Sequence, residues 1–313
     1  LQASNGLYDA RALLAHAREG RVGAAADFSP EGLAWFGHLV ASEHESVTRT
    51  PDTVQVFELA YKLGGHRALG RYLNPVWIHT LAIEGKLPKY RHLFEGDGAK
   101  EALWAADVDA EHPSRGGDPN AWIELLNRPL VDCELAPVKF DSTKSPYFDA
   151  IRSRADGLAT VSGPLITVIM PVYNPNWTLL TAVTSILNQT WVNLEVLLCD
   201  DASKVGLEIL EEAEASDHRV KIVRHRQNLG AYAARNTGLQ HARGKFITFN
   251  DADDWSHPER IERQYFAIQH DEMACASVSW CIQSKSDMQL TVVGRPSLRA
   301  NLSSLMFQRN AMD

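Results

Sequence analysis

Three aspartates follow an apolar segment near residue 250 and have the spacing of a cation site. Asp251, Asp253 and Asp254 come directly after Phe246–Phe249. Two carboxylates about 4 Å apart repel each other by around 4 kcal/mol at an effective dielectric constant near 20. A divalent cation turns this repulsion into binding, and Mg²⁺ typically uses one or two carboxylates together with substrate phosphates. In the alternative interpretation Asp254 caps a helix that starts within Trp255–Glu259, and the other two aspartates are solvated. This interpretation does not explain why residue 253 is an aspartate.

Four apolar segments must position these and other polar residues. They are Ile166–Met170, Glu195–Cys199, Val220–Val223 and Phe246–Phe249. Near-continuous apolar runs separated by helical stretches are typical of a parallel sheet covered on both faces. The residues that follow the runs are Pro171–Asn174, Asp200 and Asp201, Asn228–Gly230, and Asn250–Asp254. Since ligands of open parallel sheets bind beyond the carboxyl ends of the strands, we predict one crevice that collects all four groups.

The two common nucleotide-binding motifs are absent from the sequence. The first apolar run is followed by Asn174-Pro175-Asn176-Trp177 instead of G-x-G-x-x-G, which weakens an assignment of Asp201 as the ribose ligand of a dinucleotide fold. No G-x-x-x-x-G-K-[ST] motif is present either, and Gly244-Lys245-Phe246 is not a phosphate loop. Both of the common nucleotide motifs therefore fail in this sequence.

The segment from Pro164 to about Gln269 resembles the family 2 glycosyltransferases, which have the GT-A fold. Five motifs in the family's order carry the resemblance: Ile169-Met170-Pro171-Val172-Tyr173-Asn174, Ser185-Ile186-Leu187-Asn188-Gln189-Thr190, Glu195-Val196-Leu197-Leu198-Cys199-Asp200-Asp201-Ala202-Ser203, Asn228-Leu229-Gly230-Ala231-Tyr232-Ala233-Ala234-Arg235-Asn236-Thr237-Gly238, and Asp251-Ala252-Asp253-Asp254-Trp255. The resemblance implies a mostly parallel, Rossmann-like sheet and a nucleotide-sugar donor.

The resemblance also implies roles for individual residues of the donor site. Pro171 and Tyr173 belong to the first motif, and Tyr173 lies against a uracil-type base whose N–H donates to Asp201. Asp251-Ala252-Asp253 resembles the family's D-x-D motif. Asp253 is then the direct ligand of Mn²⁺ or Mg²⁺, and Asp251 supports the metal or contacts the ribose.

Arg235 and Asn236 are expected on a helix that faces the crevice, where they assist the diphosphate or the sugar. The alternative for Arg235 is an ion pair with a structural aspartate. The family inverts the anomeric centre in one displacement, in which the metal stabilises the departing diphosphate and a carboxylate takes the acceptor proton. That base lies beyond the D-x-D motif in the family. Asp287 and Asp313 are the candidates in this chain, and we expect the base and the acceptor-binding half to continue beyond residue 313.

Two other functions compete with a glycosyltransferase that acts on a polysaccharide, glycolipid or similar acceptor. A transferase-like binding or scaffolding module without catalysis is compatible with the missing base. A nucleotidyltransferase on a related sheet is less compatible, because the first apolar run lacks a basic phosphate-gripping loop.

The chain before residue 131 is predicted to be helical. Ser29-Pro30, Thr50-Pro51 and Asn74-Pro75 each place a capping side chain before a proline that suits the first helical turn. We therefore predict a helical domain over residues 1–130, a connector over 131–163 and a GT-A domain over 164–313. The helical domain is expected to support the second one, and the alternative is that it docks a protein partner, a membrane surface or the acceptor.

Composition limits the setting and the partners. A net charge of −8 disfavours nucleic-acid binding, which usually needs a basic stripe. The four cysteines form no metal-ligand spacing, so a reducing, cytoplasmic setting is expected, with Cys199 as a buried thiol. The sequence contains neither a signal peptide pattern nor an apolar run long enough to cross a membrane, and peripheral attachment at the inner membrane face stays open.

Overall fold

A computed structural model of the chain describes residues 29–42, 50–94, 96–141, 147–153, 158–290 and 296–312, together with residues 15 and 19. The chain divides into two compact units. The first comprises Leu1–Leu126 with Ile282–Arg299, and the second comprises Asn127–Cys281 with Ala300–Asp313. The domains predicted from the sequence, with boundaries at residues 130 and 163, are contiguous and assign residues 282–299 to the second domain. These boundaries stay a prediction.

The secondary structure changes from helices to alternating strands and helices along the chain. The regular elements in order are α1 (Pro30–Ser42), α2 (Thr50–Ile83), α3 (Leu87–Tyr90), α4 (Asp97–Ala110), α5 (Pro119–Asp132), β1 (Val138–Phe140), α6 (Tyr147–Ala150), β2 (Ile151–Ser153), β3 (Ile166–Val172), α7 (Thr178–Leu187), β4 (Leu194–Asp200), α8 (Leu207–Ser216), β5 (Val220–Arg224), α9 (Ala231–His241), β6 (Phe246–Phe249), α10 (Arg260–His270), β7 (Ala276–Ile282) and β8 (Leu298–Gln308). Short 3₁₀ helices cover Arg91–Leu93, Pro113–Arg115 and Arg309–Met312. The predicted helical N-terminal region is confirmed.

Two of the three predicted helix starts in the first unit coincide with the beginning of a helix, and one of them shows its capping bond. The Gly32 N–H donates to Ser29 Oγ at 3.0 Å at the start of α1, and α2 begins at Thr50. The start predicted at Asn74-Pro75 is wrong. The chain breaks instead at Gly65 and Gly70, whose φ angles are 58° and 57°, and Pro75 lies inside the helix that follows. Glycine adopts this left-handed region without steric cost, so it sets the position of the kink.

The first unit has its own apolar core, and a returning segment joins it. Trp77 and Phe57 are fully buried in the core, with their rings stacked at 6.2 Å between centroids. In Ile282–Arg299, the Leu290 N–H donates to Asp109 Oδ1 at 2.7 Å, and the Asp287 carbonyl pairs with His112 Nε2 at 2.8 Å. These bonds hold the segment to the first unit.

The second unit contains a six-stranded sheet with the order β5-β4-β3-β6-β8-β7. β3 pairs in parallel with β4 and β6, β4 pairs in parallel with β5, and β8 runs antiparallel to β6. Side chains on both faces are buried, as the apolar runs predict: α7 and α8 cover one face, and α9 covers the other. The predicted mostly parallel α/β fold is confirmed. A separate two-stranded sheet pairs β1 with β2.

The order of the strands creates a crevice at β3 and β6. The chain passes from β3 outward to β4 and β5, and then returns through α9 to place β6 on the other side of β3. This reversal is the topological switch point, and loops at the carboxyl ends of the strands diverge there. The loops after β3 and β6 therefore form the two walls of a cleft.

The loop after β6 differs from the predicted helix start. The next helix, α10, begins at Arg260 and not within Trp255–Glu259. Ser256 Oγ donates to Asn250 Oδ1 at 2.7 Å, so its hydroxyl is occupied and does not cap a helix.

None of the helices in the described ranges has the length and apolar character needed to cross a bilayer.

Candidate functional site

A cleft of about 380 Å³ lies at the carboxyl ends of β3, β4 and β6, within the second unit. Its wall contains six of the seven predicted site residues: Pro171, Tyr173, Asp201, Arg235, Asp251 and Asp253. Asn236 is exposed and stands outside this wall. Segments far apart in sequence thus bring an aromatic ring, an arginine and three carboxylates together.

Hydrogen bonds between the loops after β3 and β4 fix the position of Tyr173 at the mouth of the cleft. Its neighbour Asn174 has a φ angle of 49°. The Asn174 N–H donates to Ser203 Oγ at 2.8 Å, and Asn174 Oδ1 accepts from the Lys204 N–H at 2.8 Å. The loops after β3 and β4 are therefore fixed to each other, while Tyr173 itself remains half exposed at 52%.

Asp201 is buried at the base of the cleft and accepts three hydrogen bonds. Its Oδ1 accepts from the Leu229 N–H and pairs with His225 Nδ1, both at 2.8 Å, and its Oδ2 accepts from the Gly230 N–H at 2.7 Å. Burial alone would raise the pKa of Asp201, but these donors outweigh it and the pKa lies below its usual value. Asp201 is therefore an ionised staple for the loop before α9.

His225 supports the cleft residue Asp201 from behind the cleft wall, and the sequence analysis did not predict this role. Its largely buried ring bridges Asp201 to Thr237, since Nε2 lies 2.7 Å from Thr237 Oγ1. The bridge connects the loop after β5 to α9. The available signal was a histidine next to the end of an apolar strand, which does not by itself predict a partner on a helix twelve residues later.

Arg235 reaches into the cleft from α9, which packs closely on the sheet. Ala234 is fully buried, and a Cβ added at Gly238 would lie 2.4 Å from Ile169 Cγ2. The absence of that atom lets the helix approach the strands. Arg235 Nη2 donates to Asp251 Oδ1, so the aspartate that pairs with Arg235 is itself a residue of the cleft.

Asn250 shapes the acidic loop that follows β6. Its Nδ2 donates to the carbonyls of Asp251 and Asp254, each at 2.9 Å. The Asp254 N–H also donates to the Asp251 carbonyl at 3.1 Å, which closes a turn. Three carboxylates are thereby held within a four-residue stretch.

The electrostatics of this loop fit a cation. Burial, followed by the charges of Asp251 and Asp253, raises the pKa of Asp254 to about 6, although Asn301 and the buried Arg260 act in the opposite direction. The acidic charge is thus incompletely balanced by the protein. Asp253 is exposed toward the cleft.

The side chains fit an ion that is shared with a ligand. Across the described ranges, no group of three or more His, Cys, Asp or Glu side chains is arranged to hold an ion alone. Two carboxylates are, however, the protein contribution that Mg²⁺ or Mn²⁺ commonly has when phosphates complete its coordination. Asp251 and Asp253 supply such a pair.

Neither candidate for a general base is among the residues of the cleft wall in the described part of the chain. Asp287 belongs to the first unit, where its Oδ1 accepts from the Gln289 N–H at 3.1 Å. Asp313 lies outside the described residues.

Cys199 is the buried thiol that was predicted, and burial raises its pKa to about 12, which makes it unreactive.

The fold and the cleft define a doubly wound α/β domain with an acidic site at the switch point of its sheet. Residues 167–305 match the profile of glycosyl transferase family 2, so this segment is a domain of that family. The resemblance drawn from the sequence is confirmed.

Curated relatives agree with this assignment. An uncharacterized glycosyltransferase of Haemophilus influenzae is 37% identical over 135 residues, which cover 42% of this chain and 54% of that protein. The putative glycosyltransferase EpsE of Bacillus subtilis is 43% identical and covers 33% of this chain and 38% of its own length. The Escherichia coli enzyme WfgD, a UDP-Glc:α-D-GlcNAc-diphosphoundecaprenol β-1,3-glucosyltransferase, is 40% identical and covers 32% and 39%. The chain spans about half or less of the length of these relatives.

Proposed function

We propose that the chain is a metal-dependent, inverting glycosyltransferase that moves a sugar from a UDP-sugar to a polysaccharide, glycolipid or similar acceptor. The observation that carries this proposal is the cleft itself. It combines a half-exposed aromatic ring and a buried ionised carboxylate, which suit the base, with an acidic pair that suits the cation and an arginine that suits the diphosphate. Family 2 membership of the domain supports the same reaction class.

Tyr173 and Asp201 form the base end of the proposed donor site. Stacking of a base on an aromatic side chain contributes about 1–3 kcal/mol. The Asp201 carboxylate has about four acceptor positions and uses three of them within the protein, which leaves one for the imide N–H of uracil. Because its pKa is lowered, Asp201 is an acceptor at neutral pH.

Asp251, Asp253 and Arg235 form the phosphate end. A divalent cation, when bound, stabilises the negative charge of the departing diphosphate. Asp253 is the exposed carboxylate that would hold it directly, and Asp251 is the second ligand or its support. The Arg235 guanidinium offers planar donors that suit phosphate oxygens.

The proposed acceptor is argued from the name of one relative and from the carboxylates of the cleft wall. The name of WfgD specifies a UDP-Glc donor and a sugar-diphosphoundecaprenol acceptor for that enzyme, which supports a UDP donor and a lipid-linked or polymeric glycan acceptor here. Within the described residues, the carboxylates of the cleft wall are Asp201, Asp251 and Asp253. All three are assigned to the donor, so the base for the acceptor hydroxyl is expected outside the cleft wall.

Calorimetric titration of the 313-residue chain with UDP, GDP, ADP and CDP, with and without Mn²⁺, tests the donor site. We expect UDP to bind only with Mn²⁺ present, and Asp253→Asn to abolish the effect of the metal. Asp132→Asn is the matched control, because it removes the same charge from an exposed position outside the cleft. Equal UDP binding by Asp253→Asn and the control would refute the proposal.

A donor-hydrolysis screen separates an enzyme from a binding module. Each UDP-sugar is incubated with the chain and Mn²⁺, and free UDP is measured. Release of UDP from one donor above the level of Asp253→Asn supports a transferase. Tight binding without release in the presence of candidate acceptors supports a module that binds the donor without catalysis.

A further inference from the structure

We infer that Arg235 changes its hydrogen-bond partner when ligands bind, and that this change couples the binding of the cation to the binding of the donor. It neutralises Asp251 when the cleft holds no ligand, and it transfers to the diphosphate when cation and donor bind together. The inference rests on the proposed function, since it requires a nucleoside diphosphate in this cleft. It assigns to the Arg235–Asp251 pair a role in how ligands bind, beyond contact with them.

The ion pair is accessible and incompletely satisfied. The Arg235 and Asp251 side chains are 19% and 31% exposed, so both are partly desolvated but within reach of a ligand. Nη2 donates to Asp251, and this is the single hydrogen bond of the guanidinium within the described part of the chain. A guanidinium has five N–H donors, so most of them remain free for another acceptor.

The guanidinium that bonds Asp251 also contacts an aromatic ring. The ring of Tyr232, which is 83% exposed, lies 5.6 Å from Arg235 Cζ. An arginine can remain over an aromatic face after its carboxylate partner has been taken. The guanidinium therefore has a favourable contact during the exchange.

The helix that carries Arg235 is fixed, so the exchange is a side-chain rotation. Ala234 is fully buried against the sheet, and Gly238 leaves no room for a Cβ between the helix and Ile169. His225 also ties the same helix, through Thr237, to Asp201. The backbone of α9 cannot move toward the ligand without losing these contacts.

The charges make each ligand alone a poor match for the cleft. A cation alone meets Asp251 already neutralised by Arg235, and a diphosphate alone meets the carboxylates of the acidic loop. Together, the cation takes Asp251 and the released guanidinium binds phosphate oxygens, which it prefers in bidentate geometry. Each ligand removes the obstacle to the other, and linkage makes the effect reciprocal.

Electron paramagnetic resonance of free Mn²⁺ measures this coupling without any turnover. The dissociation constant of Mn²⁺ is determined with and without saturating UDP for the wild-type chain and for Arg235→Gln, Arg235→Lys and Lys245→Gln. Lys245 is the control, since it is an exposed cation at the amino end of β6, opposite the cleft. Arg235→Lys keeps the charge in case loss of the arginine disturbs folding.

We expect Arg235→Gln to bind Mn²⁺ alone about five-fold or more tightly than wild type, and UDP to improve its Mn²⁺ affinity by a correspondingly smaller factor. Arg235→Lys should bind Mn²⁺ alone like wild type but show reduced coupling, because a lysine cannot bind phosphate in bidentate fashion. Lys245→Gln should match wild type throughout.

Unchanged or weaker binding of Mn²⁺ alone by Arg235→Gln, with coupling intact in the wild type, would overturn the inference and leave the proposed function standing. If the wild type failed to bind Mn²⁺ even with UDP present, the proposed function would fall and the inference with it.

Discussion

Asp201 illustrates how one carboxylate can serve both the fold and a ligand. Its position between β4 and the loop before α9 lets it accept two backbone N–H groups and the His225 ring. A buried carboxylate with donors of this kind stays ionised and immobile. The same immobility would give a base N–H a fixed acceptor, so the staple and the proposed ligand contact reinforce each other.

The staple predicts a specific effect of His225→Ala. The substitution removes one of the three hydrogen bonds of Asp201 and the hydrogen bond between His225 and Thr237 Oγ1, and we expect a loss of about 1–3 kcal/mol in the free energy of unfolding. UDP affinity should fall as well, because the loop before α9 loses a support. Urea unfolding and calorimetry measure the two effects. His241→Ala on the same helix is the control, since His241 is exposed and bonds only a backbone carbonyl in the described structure; equal behaviour of the two variants would exclude the staple.

Asp217 gives a residue-scale prediction of pH dependence. The hydrogen bonds from Arg219 lower the pKa of Asp217 to about 2. A lowered carboxyl pKa stabilises the fold at pH values above the unfolded pKa, and the stabilisation disappears as the pH falls through the folded value. Asp217→Asn should therefore cost about 2 kcal/mol at pH 7 and progressively less below pH 4, vanishing near pH 2. Urea midpoints across this range measure the difference, and a destabilisation that stayed the same from pH 7 to pH 2 would contradict the prediction.

At the scale of secondary structure, the packing of α9 determines where Arg235 lies relative to the acidic loop. Gly238 allows the helix to approach β3 and β4, since a Cβ there would lie 2.4 Å from Ile169 Cγ2 and 2.9 Å from Cys199 Sγ. The close approach brings the preceding turn, with Arg235, to the acidic loop. The geometry of the ion pair thus depends on a glycine one turn away that touches no ligand.

Gly238→Ala tests this dependence. Alanine is the better helix former, but the added methyl group overpacks the interface and we expect a net destabilisation of about 1–3 kcal/mol. The Arg235–Asp251 pair should also be displaced, with weaker binding of UDP and Mn²⁺. Thermal unfolding and calorimetry check both. Gln240→Ala, at an exposed position of the same helix, is expected to change neither.

The elements show which features the sequence could predict. The strands were predictable because both faces are buried, which makes Ile166–Met170 and Glu195–Cys199 near-continuous apolar runs. The start of α10 was not, because the capping pattern of Asp254 before Trp255–Glu259 resembles a helix start, whereas the helix begins at Arg260. The D-x-D spacing was visible in the sequence, whereas the partner of Arg235 depends on how α9 packs.

At the scale of the whole molecule, the division into units is discontinuous in sequence. Ile282–Arg299 belongs to the first unit, where it bonds Asp109 and His112, and Ala300–Asp313 belongs to the second. Sequence periodicity predicts elements but not which unit a connecting segment joins. A contiguous division at residue 163 therefore had no means of including this segment.

His112→Ala tests how the returning segment is held. His112 is fully buried and pairs with the Asp287 carbonyl, so its loss should expose Ile282–Leu290 to proteolysis. UDP binding should be retained, because every residue that lines the cleft belongs to the second unit. Limited proteolysis with mass spectrometry, together with calorimetry, measures both. His92→Ala, at an exposed position in the first unit, should be cleaved like wild type; identical digestion of the two variants would contradict the prediction.

The returning segment also constrains the order of events on the ribosome. The helices of the first unit emerge early, but residues 282–299 follow only after residues 127–281 have been translated. At ordinary rates of synthesis this interval lasts roughly 10 to 30 s. During that time the Leu290 N–H and the Asp287 carbonyl are not yet there to bond Asp109 and His112, so nascent chains halted before residue 282 should lack these two hydrogen bonds.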